Sequence, residues 1–410
     1  MSTLDSKDHP WMGEAAVTSL FGALPAGSLR FVGGCVRNAL LGECVGDIDL
    51  ATQLEPKQVM ACLDAADIRY VPTGIEHGTL TAVIDGKPYE ITSLRKDVET
   101  DGRRAVVAFT QDWAEDAQRR DLTINALYAA PDGEVFDPTD KGLDDLKALK
   151  FRFVGEADMR VKEDYLRIIR FFRFLARYGG DTKVDAAALK ACRENRRGLK
   201  KLSAERVWSE IKKLLSAPDP SRAVRIMLTN EVLETLLPEA SNSEGLDRLI
   251  TLERREDIAP DPLLRLMAMS AREPLQIALL CKRLKMSNKE TQRLRAWADS
   301  SSALDPHADD RAKRIAIYNA GKQVVMDRAH LRAAGEDEAI ASLRWVSLAA
   351  LAAEWTLPEF PLKGKDLQAA GVETGPQMGK VLDALKALWV KSGFTADRDK
   401  LLMALKLINR

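Results

Sequence analysis

The chain divides in two by the period of its apolar positions. Up to about residue 150, short runs that suit strands alternate with short helical segments. Beyond Lys150 the strand signals stop, and leucine- and alanine-rich stretches recur at helical spacing to the C-terminus. In the first part, residues 14–24 read as an amphipathic helix ended by Pro25-Ala26-Gly27. Leu29–Val32 is a short apolar run, Val36–Leu41 reads as a helix and Asp47–Ala51 as a strand. Pro56 stands at the first-turn position that proline prefers, opening a helix over Glu55–Ala66. Ile68–Pro72 reads as a strand. Gly78–Asp85 and Lys87–Ser93 read as two more, turned at Asp85-Gly86, a strong hairpin dipeptide. Arg95–Ala105 (RKDVETDGRRA) has no apolar period and reads as a mobile loop. Trp113–Arg120 reads as helix, Leu122–Ala129 as a short apolar element, and Asp132-Gly133 as a second turn before Glu134–Phe136. The helical part is interrupted at Gly179-Gly180, Pro218–Pro220, Pro238, Asp257–Pro262, Pro274, Asp305-Pro306 and Pro358–Gly364. The pattern predicts an α+β head and an all-helical remainder of two or three subdomains, with no constant-period repeat.

At 410 residues, two to four domains are expected. No apolar run reaches the length needed to cross a bilayer, and the polar, acidic opening MSTLDSKDHPWMGE does not read as a secretory signal. Five scattered cysteines (Cys35, Cys44, Cys62, Cys192, Cys281) without a CxxC argue for free thiols in a reducing cytoplasm. The same scatter argues against a zinc site or a disulfide frame. The four histidines lie far apart, which excludes a histidine-rich metallohydrolase. Net charge is zero but unevenly spread. Residues 1–149 carry 14 basic and 25 acidic residues, and residues 150–213 carry 18 basic and 9 acidic. That polarity suits an enzyme holding cations in its head and polyanions in the next segment. From charge alone a solvated helical surface fits equally well.

Four segments carry candidate chemistry. Phe31–Thr52 (FVGGCVRNALLGECVGDIDLAT) combines paired glycines, Gly33 and Gly34, with Arg37 and an Asp47-Ile48-Asp49 pair. Glycines let backbone amides approach a phosphate. On a strand, Asp47 and Asp49 would share one face about 7 Å apart, and they repel unless a cation sits between them. Arg119–Ala126 (RRDLTINA) offers Arg120 for a phosphate or ribose; Asp121 and Asn125 would fix a sugar hydroxyl or a turn, and a helix cap fits as well. Asp137–Leu146 (DPTDKGLDDL) reads as a loop and capped turn linking head to helices. In Glu163–Arg173 (EDYLRIIRFFR), helical spacing sets Glu163 and Asp164 beside Arg167, with Arg170 and Arg173 continuing the stripe. Leu166, Ile169 and Phe172 lie on a packing face. Taken alone, that charge pattern also suits an ordinary amphipathic helix.

In this order the segments resemble the class II tRNA nucleotidyltransferases, that is, the bacterial CCA-adding enzymes and their poly(A) polymerase relatives. GGCVRNALLG…GDIDLAT is similar to their nucleotidyltransferase signature; RRDLTINA, DPTDKGLDDL and EDYLRIIRFFRF are similar to their next three motifs. SAERVWSE (Ser203–Glu210) is similar to the fifth. The motifs cover about residues 30–215. The resemblance implies a polymerase-β-like nucleotidyltransferase head with a mixed sheet over 1–150. It further implies a helical neck for base selection over 151–217, a body over 218–300 and a tRNA-binding tail over 301–410.

The implied activity is template-independent addition of CCA to the 3′ end of tRNA from CTP and ATP, with pyrophosphate released. Asp47 and Asp49 would hold Mg2+ at the α-phosphate, with Glu90 as a third carboxylate; a surface strand residue fits Glu90 equally. Gly33, Gly34, Arg37 and Arg120 would hold the triphosphate. Cytosine and adenine both present an amino donor beside a ring-nitrogen acceptor, whereas uracil and guanine present the reverse. A carboxylate beside a guanidinium therefore accepts the first two and rejects the others. Asp164 would take the amino proton, Arg167 would donate to the ring nitrogen, and Glu163 would fix Arg167. Arg170 and Arg173 would reach phosphates. Neck and tail would grip the tRNA acceptor end and elbow. Arg95–Ala105 falls where the family has its flexible element, linked to the switch from C to A addition. A poly(A) polymerase, or a CC-only or A-only enzyme, shares the same head. Poly(A) polymerases usually end in a basic tail, whereas Lys400–Arg410 reads as a helix. The chain departs from the family at Asn38, where aspartate is frequent, and at Leu122, where phenylalanine is frequent.

Overall fold

The computed structural model describes residues 3–101, 104–299 and 301–408. The backbone separates into two compact units, Met1–Pro238 and Glu239–Arg410. Unit 1 opens with helix α1 (Ala15–Ala23) and strand β1 (Leu29–Val32), followed by α2 (Gly34–Leu40), β2 (Asp49–Thr52) and α3 (Pro56–Ala65). Next come β3 (Tyr70–Gly74), β4 (Thr79–Ile84), β5 (Lys87–Ser93), β6 (Arg95–Asp101), β7 (Arg104–Phe109) and α4 (Trp113–Gln118). The head closes with β8 (Tyr128–Ala129), β9 (Val135–Phe136) and α5 (Gly142–Lys147). Seven strands form one sheet in the order β3-β4-β5-β2-β1-β8-β9. The β2–β5 pair is parallel and the others are antiparallel, so the sheet is mixed as expected.

Local sequence explains most of these elements. The β4–β5 hairpin turns at Asp85 and Gly86, both with positive φ (50° and 76°), the geometry of a two-residue primed turn. Pro56 opens α3, and the Glu55 N–H donates to Gln58 Oε1 at 2.9 Å. Along β4 and β5, Leu80, Ala82, Tyr89 and Ile91 are buried, leaving the alternate face to the site. A core of Val32, Ala51, Leu94, Ala117, Ala126, Tyr128 and Val154 holds the sheet against α4.

The segment expected to be a loop instead pairs with itself as strands. β6 and β7 pair antiparallel as a two-stranded ribbon, with Arg95 opposite Phe109 and Asp101 opposite Arg104. Ladder hydrogen bonds need no apolar side-chain period, so the sequence pattern is silent here. Gly102 and Arg103 of that segment lie outside the described residues.

The remainder is helical. Unit 1 continues with α6 (Ala157–Glu163), α7 (Leu166–Tyr178), α8 (Ala186–Asn195), α9 (Ala204–Leu215), α10 (Ser221–Thr229) and α11 (Val232–Leu236). The helix expected over Glu163–Arg173 is broken. Asp164 is extended (φ −148°, ψ 106°), and its Oδ1 accepts the Leu166 N–H at 3.0 Å. Aspartate caps a new helix better than it continues an old one, which is why the chain breaks here. α7 then buries Leu166, Ile169 and Phe172 as expected, together with Phe171, Phe174 and Leu175.

Among its described residues unit 2 has helices and connecting loops but no strand, from Ser243–Arg255 to Arg398–Ile408; Ser300, Asn409 and Arg410 lie outside them. One of its cores gathers Leu362, Leu367, Leu385, Trp389, Leu401 and Leu405. A second gathers Ile317, Val325, Leu348 and Ala352. Arg265 and Glu253 form an ion pair at 2.6 Å, only 1% and 3% exposed. Among the described residues no helix is long and apolar enough to cross a membrane.

Candidate active site

One cavity of about 1100 Å³ in unit 1 collects the candidate residues: every one of them except Glu163 lines it. Its floor is the centre of the sheet. Asp49 opens β2 and stands in register with Glu90 on the parallel neighbour β5, so the two share a face. Asp47 was expected in the same strand but precedes it in a bend and is exposed. The reason is pairing: β1 meets β2 only from Phe31 opposite Leu50 onward, which leaves Asp47 without a ladder partner. Cys35, buried on α2, donates from Sγ to Val32 O at 3.4 Å and to Asp49 O at 3.6 Å, tying helix to strand. Burial pushes its thiol up to about 11, so it serves as packing rather than as a nucleophile.

The carboxylates are crowded. Burial, then the neighbouring Asp47, raises Asp49 above its ordinary range, although Arg120 and Arg37 oppose this. Burial, then Asp49, likewise raises Glu90, against Arg95. Hard, mutually repelling oxygen donors fit a divalent cation such as magnesium, which commonly uses one or two carboxylates and completes its shell with phosphates and water. Among the described residues no group of three or more His, Cys, Asp or Glu forms a metal cage by itself.

The wall beside the carboxylates is built from tied arginines. Gly33 adopts φ 71° and ψ −113°, a conformation that needs glycine, and a Cβ there would lie 3.7 Å from Arg120 Nη1. Arg120 donates from Nη2 to Asp116 Oδ2 (2.9 Å) and from Nε to the Tyr128 hydroxyl (3.1 Å). Asp116 is fully buried. Burial pushes its carboxyl up, but Arg120, Arg119 and the Tyr128 hydroxyl outweigh that and hold it at about 2. Arg37 donates to Asn125 Oδ1, Asn38 Oδ1 (2.8 Å) and the Tyr178 hydroxyl (3.1 Å). Asn125 Nδ2 in turn donates to Asp121 Oδ1 at 3.1 Å, and Arg170 binds Asp121 Oδ2 at 2.6 Å. Burial acts upward on Asp121, yet Arg170 and these hydrogen bonds keep it well below the carboxylate range. Asp121 and Asn125 thus spend their polar atoms within the protein and work through Arg37 and Arg170. This favours the structural reading of that motif over direct sugar contact. Arg173 likewise pairs with Glu210 of α9 at 3.2 Å.

Another wall is the α6–α7 junction. Arg167 Nη1 binds Glu163 Oε2 (2.7 Å) and Arg160 O (3.0 Å), while Nη2 binds Arg119 O (2.9 Å). The guanidinium is thereby fixed to the head as well as to its own helix, and Glu163 lies behind it. Asp164 faces the cavity from the helix break. Sequence reasoning missed Phe174, Arg177, Tyr178 and Arg206, which also line the cavity. The first three extend the Arg170–Arg173 stripe by further helical steps, a signal that was available. Arg206 lies inside SAERVWSE, but nothing in that motif points it at the site.

A cavity with clustered carboxylates on a mixed sheet and a carboxylate–guanidinium pair on a helical wall has the groups that a nucleotide-transferring enzyme needs. Residues 29–152 match the family model described as "Poly A polymerase head domain", and 182–243 match "Probable RNA and SrmB- binding site of polymerase A". Residues 263–405 match tRNA nucleotidyltransferase domain 2. The chain is 34% identical over 390 residues to the CCA tRNA nucleotidyltransferase 1, mitochondrial, of Danio rerio, covering 92% of this chain and 86% of that protein. It is 32% identical over 384 residues to the CCA-adding enzyme of Pediococcus pentosaceus, covering 93% and 94%. The structure of the Bacillus stearothermophilus CCA-adding enzyme in complex with CTP superimposes with a TM-score of 0.72 at 26% identity, covering 99% and 98% of the two chains. The chain belongs to the family of CCA-adding tRNA nucleotidyltransferases and poly(A) polymerases.

Proposed function

We propose that this enzyme adds C, C and A in turn to the 3′ end of tRNA from CTP and ATP, releasing pyrophosphate and using no nucleic-acid template. The observation that carries this is the meeting, in one cavity, of Asp47, Asp49 and Glu90 with Asp164 and Arg167. Asp47 and Asp49, with Glu90 beside them, would hold Mg2+. When bound, the ion neutralises charge on the α-phosphate and readies the tRNA 3′-hydroxyl for in-line attack.

The chain's own residues do the rest. Arg37 and Arg120 are held rigid by Asn125, Asn38, Asp116 and Tyr128, and they present positive charge to the triphosphate without reorganising when it binds. Asp164 accepts the amino group shared by cytosine and adenine. Arg167, pinned by Glu163 and Arg119 O, donates to the adjacent ring nitrogen. Uracil and guanine would set a carbonyl against the carboxylate and an N–H against the guanidinium, and are rejected. In this reading the neck is 151–217, the body 218–300 and the tRNA-binding tail 301–410. All five cysteines are free, and we assign the chain to the cytoplasm; the zebrafish relative is named as mitochondrial, and cell fractionation distinguishes the two.

The test is incubation with magnesium and tRNA ending before CCA, offering each nucleotide singly and CTP with ATP. Extension by C, C and A followed by a stop supports the proposal. Unlimited A addition would replace it with a poly(A) polymerase, and a halt after CC with a CC-only enzyme.

A further inference from the structure

The base-reading carboxylate is held from a direction that the motif around it does not reveal. Arg206, in the first turn of α9, places Nη2 at 2.7 Å from Asp164 Oδ2 and also lines the cavity. The other oxygen, Oδ1, accepts the Leu166 N–H that opens α7. With one donor on each oxygen, the plane of the Asp164 carboxylate is set between two helices. A carboxylate has about four acceptor positions, so capacity remains for one incoming amino group. α9 is a firm base for this contact. Val207, Trp208, Ile211 and Leu214 are buried, and Glu210 adds the ion pair to Arg173.

We propose that Arg206 is a positioning residue for base choice, aligning Asp164 with the amino group of cytosine or adenine. It rests on the reading of Asp164 given above. The pair is half exposed, 51% for Arg206 and 33% for Asp164. Ion pairs of that kind contribute little to stability, so its value lies in alignment. Asp164 follows a helix end, and without Arg206 only Oδ1 would be held. The base amino group would then meet a carboxylate free to turn. Cytosine and adenine lose from this, because they donate to Asp164. Uracil and guanine, which make no favourable contact there, lose nothing.

The variants are Arg206→Met, Arg206→Lys and Asp164→Asn, each with its melting temperature recorded. Single-nucleotide extension of tRNA is measured with CTP, ATP and UTP. For Arg206→Met we expect kcat/KM for CTP and ATP to fall about tenfold, mainly through KM, with UTP unchanged and the melting temperature near wild type. Arg206→Lys restores part of the CTP:UTP ratio. In an Asp164→Asn background, Arg206→Met adds no further loss of discrimination. If Asp164→Asn leaves the CTP:UTP ratio intact, the reading of Asp164 fails and the role of Arg206 fails with it. If Asp164→Asn collapses the ratio and Arg206→Met does not, the role of Arg206 alone is overturned. An equal fall for all three nucleotides makes Arg206 merely structural and also overturns it.

Discussion

Gly198 offers a sharp test of how the base-reading wall is held in place. It lies buried in the 3-10 turn Arg196–Lys201, directly against the Tyr165 ring that separates Asp164 from Leu166. A Cβ at Gly198 would stand 2.2 Å from both Cδ1 and Cε1 of that ring. Ordinary contact begins near 3.4 Å, so Gly198→Ala must displace the ring by about 1.2 Å. Two effects oppose each other in stability. Alanine is preferred over glycine in a helical turn by up to about 1 kcal/mol. Overpacking a filled site costs about 1–3 kcal/mol. The net is a loss of roughly 0–3 kcal/mol, at most several degrees in melting temperature for a unit of this size. Activity should suffer more, because misplacing a positioning group by about 1 Å can cost up to about 100-fold. The expected result is a 10- to 100-fold fall in kcat/KM for CTP and ATP with a lowered CTP:UTP ratio. Tyr165→Leu, which trims the ring, should recover part of it in the double variant. A Gly198→Ala enzyme with wild-type rate, selectivity and melting temperature would refute the claim that this contact holds Asp164 in place.

Further expectations follow from the same geometry. Asp49→Asn should lower extension by about 1000-fold or more, read by gel, while CTP binding by calorimetry survives at reduced affinity. Because burial and neighbouring carboxylates raise Asp49 and Glu90, these groups take up protons at a higher pH than free carboxylates do. The magnesium concentration for half-maximal rate should therefore rise as pH falls, beginning above the ordinary carboxylate range; a flat magnesium requirement would contradict the crowding. Asp116 is held at about 2 against an ordinary 3.8, so its contribution, about 2 kcal/mol, is present above pH 4 and is lost as pH falls from about 4 to 2. Asp116→Asn should flatten that part of the stability–pH curve measured by denaturant unfolding. Asn125→Ala unties Arg37 from Asp121 and should raise KM for CTP, ATP and UTP alike, about tenfold, leaving their ratio unchanged. A changed ratio would mean that this network reads the base.

Local chemistry was the legible part. The Asp85-Gly86 turn, the proline opening of α3, the buried face of α7 and the switch from mixed to helical structure near residue 150 all follow from short-range rules. The sequence candidates, Glu163 apart, also meet in one cavity, because their types and order are specific, while Phe174, Arg177, Tyr178 and Arg206 escaped notice. What the sequence hides is mostly long-range pairing. Asp121 and Asn125 looked like groups that could touch a sugar, yet their partners are Arg170 and Arg37, 49 and 88 positions away. The β6–β7 ribbon carries charged residues with no apolar alternation, so only its backbone ladder reveals it. At Asp164 two local rules competed. The i to i+3 spacing to Arg167 suggested one continuous helix, and the capping preference of aspartate broke it. That break turns Asp164 into the cavity and lets a residue on α9 reach it.

The central claim is that the head performs the transfer while a helix junction more than a hundred residues downstream chooses the base. The most direct test is Arg167→Ala assayed with CTP, ATP, UTP and GTP over a magnesium titration. The account predicts that discrimination against UTP and GTP collapses while the magnesium dependence set by Asp47 and Asp49 stays where it was. Unchanged selectivity in that variant, with all four nucleotides slowed equally, would contradict it.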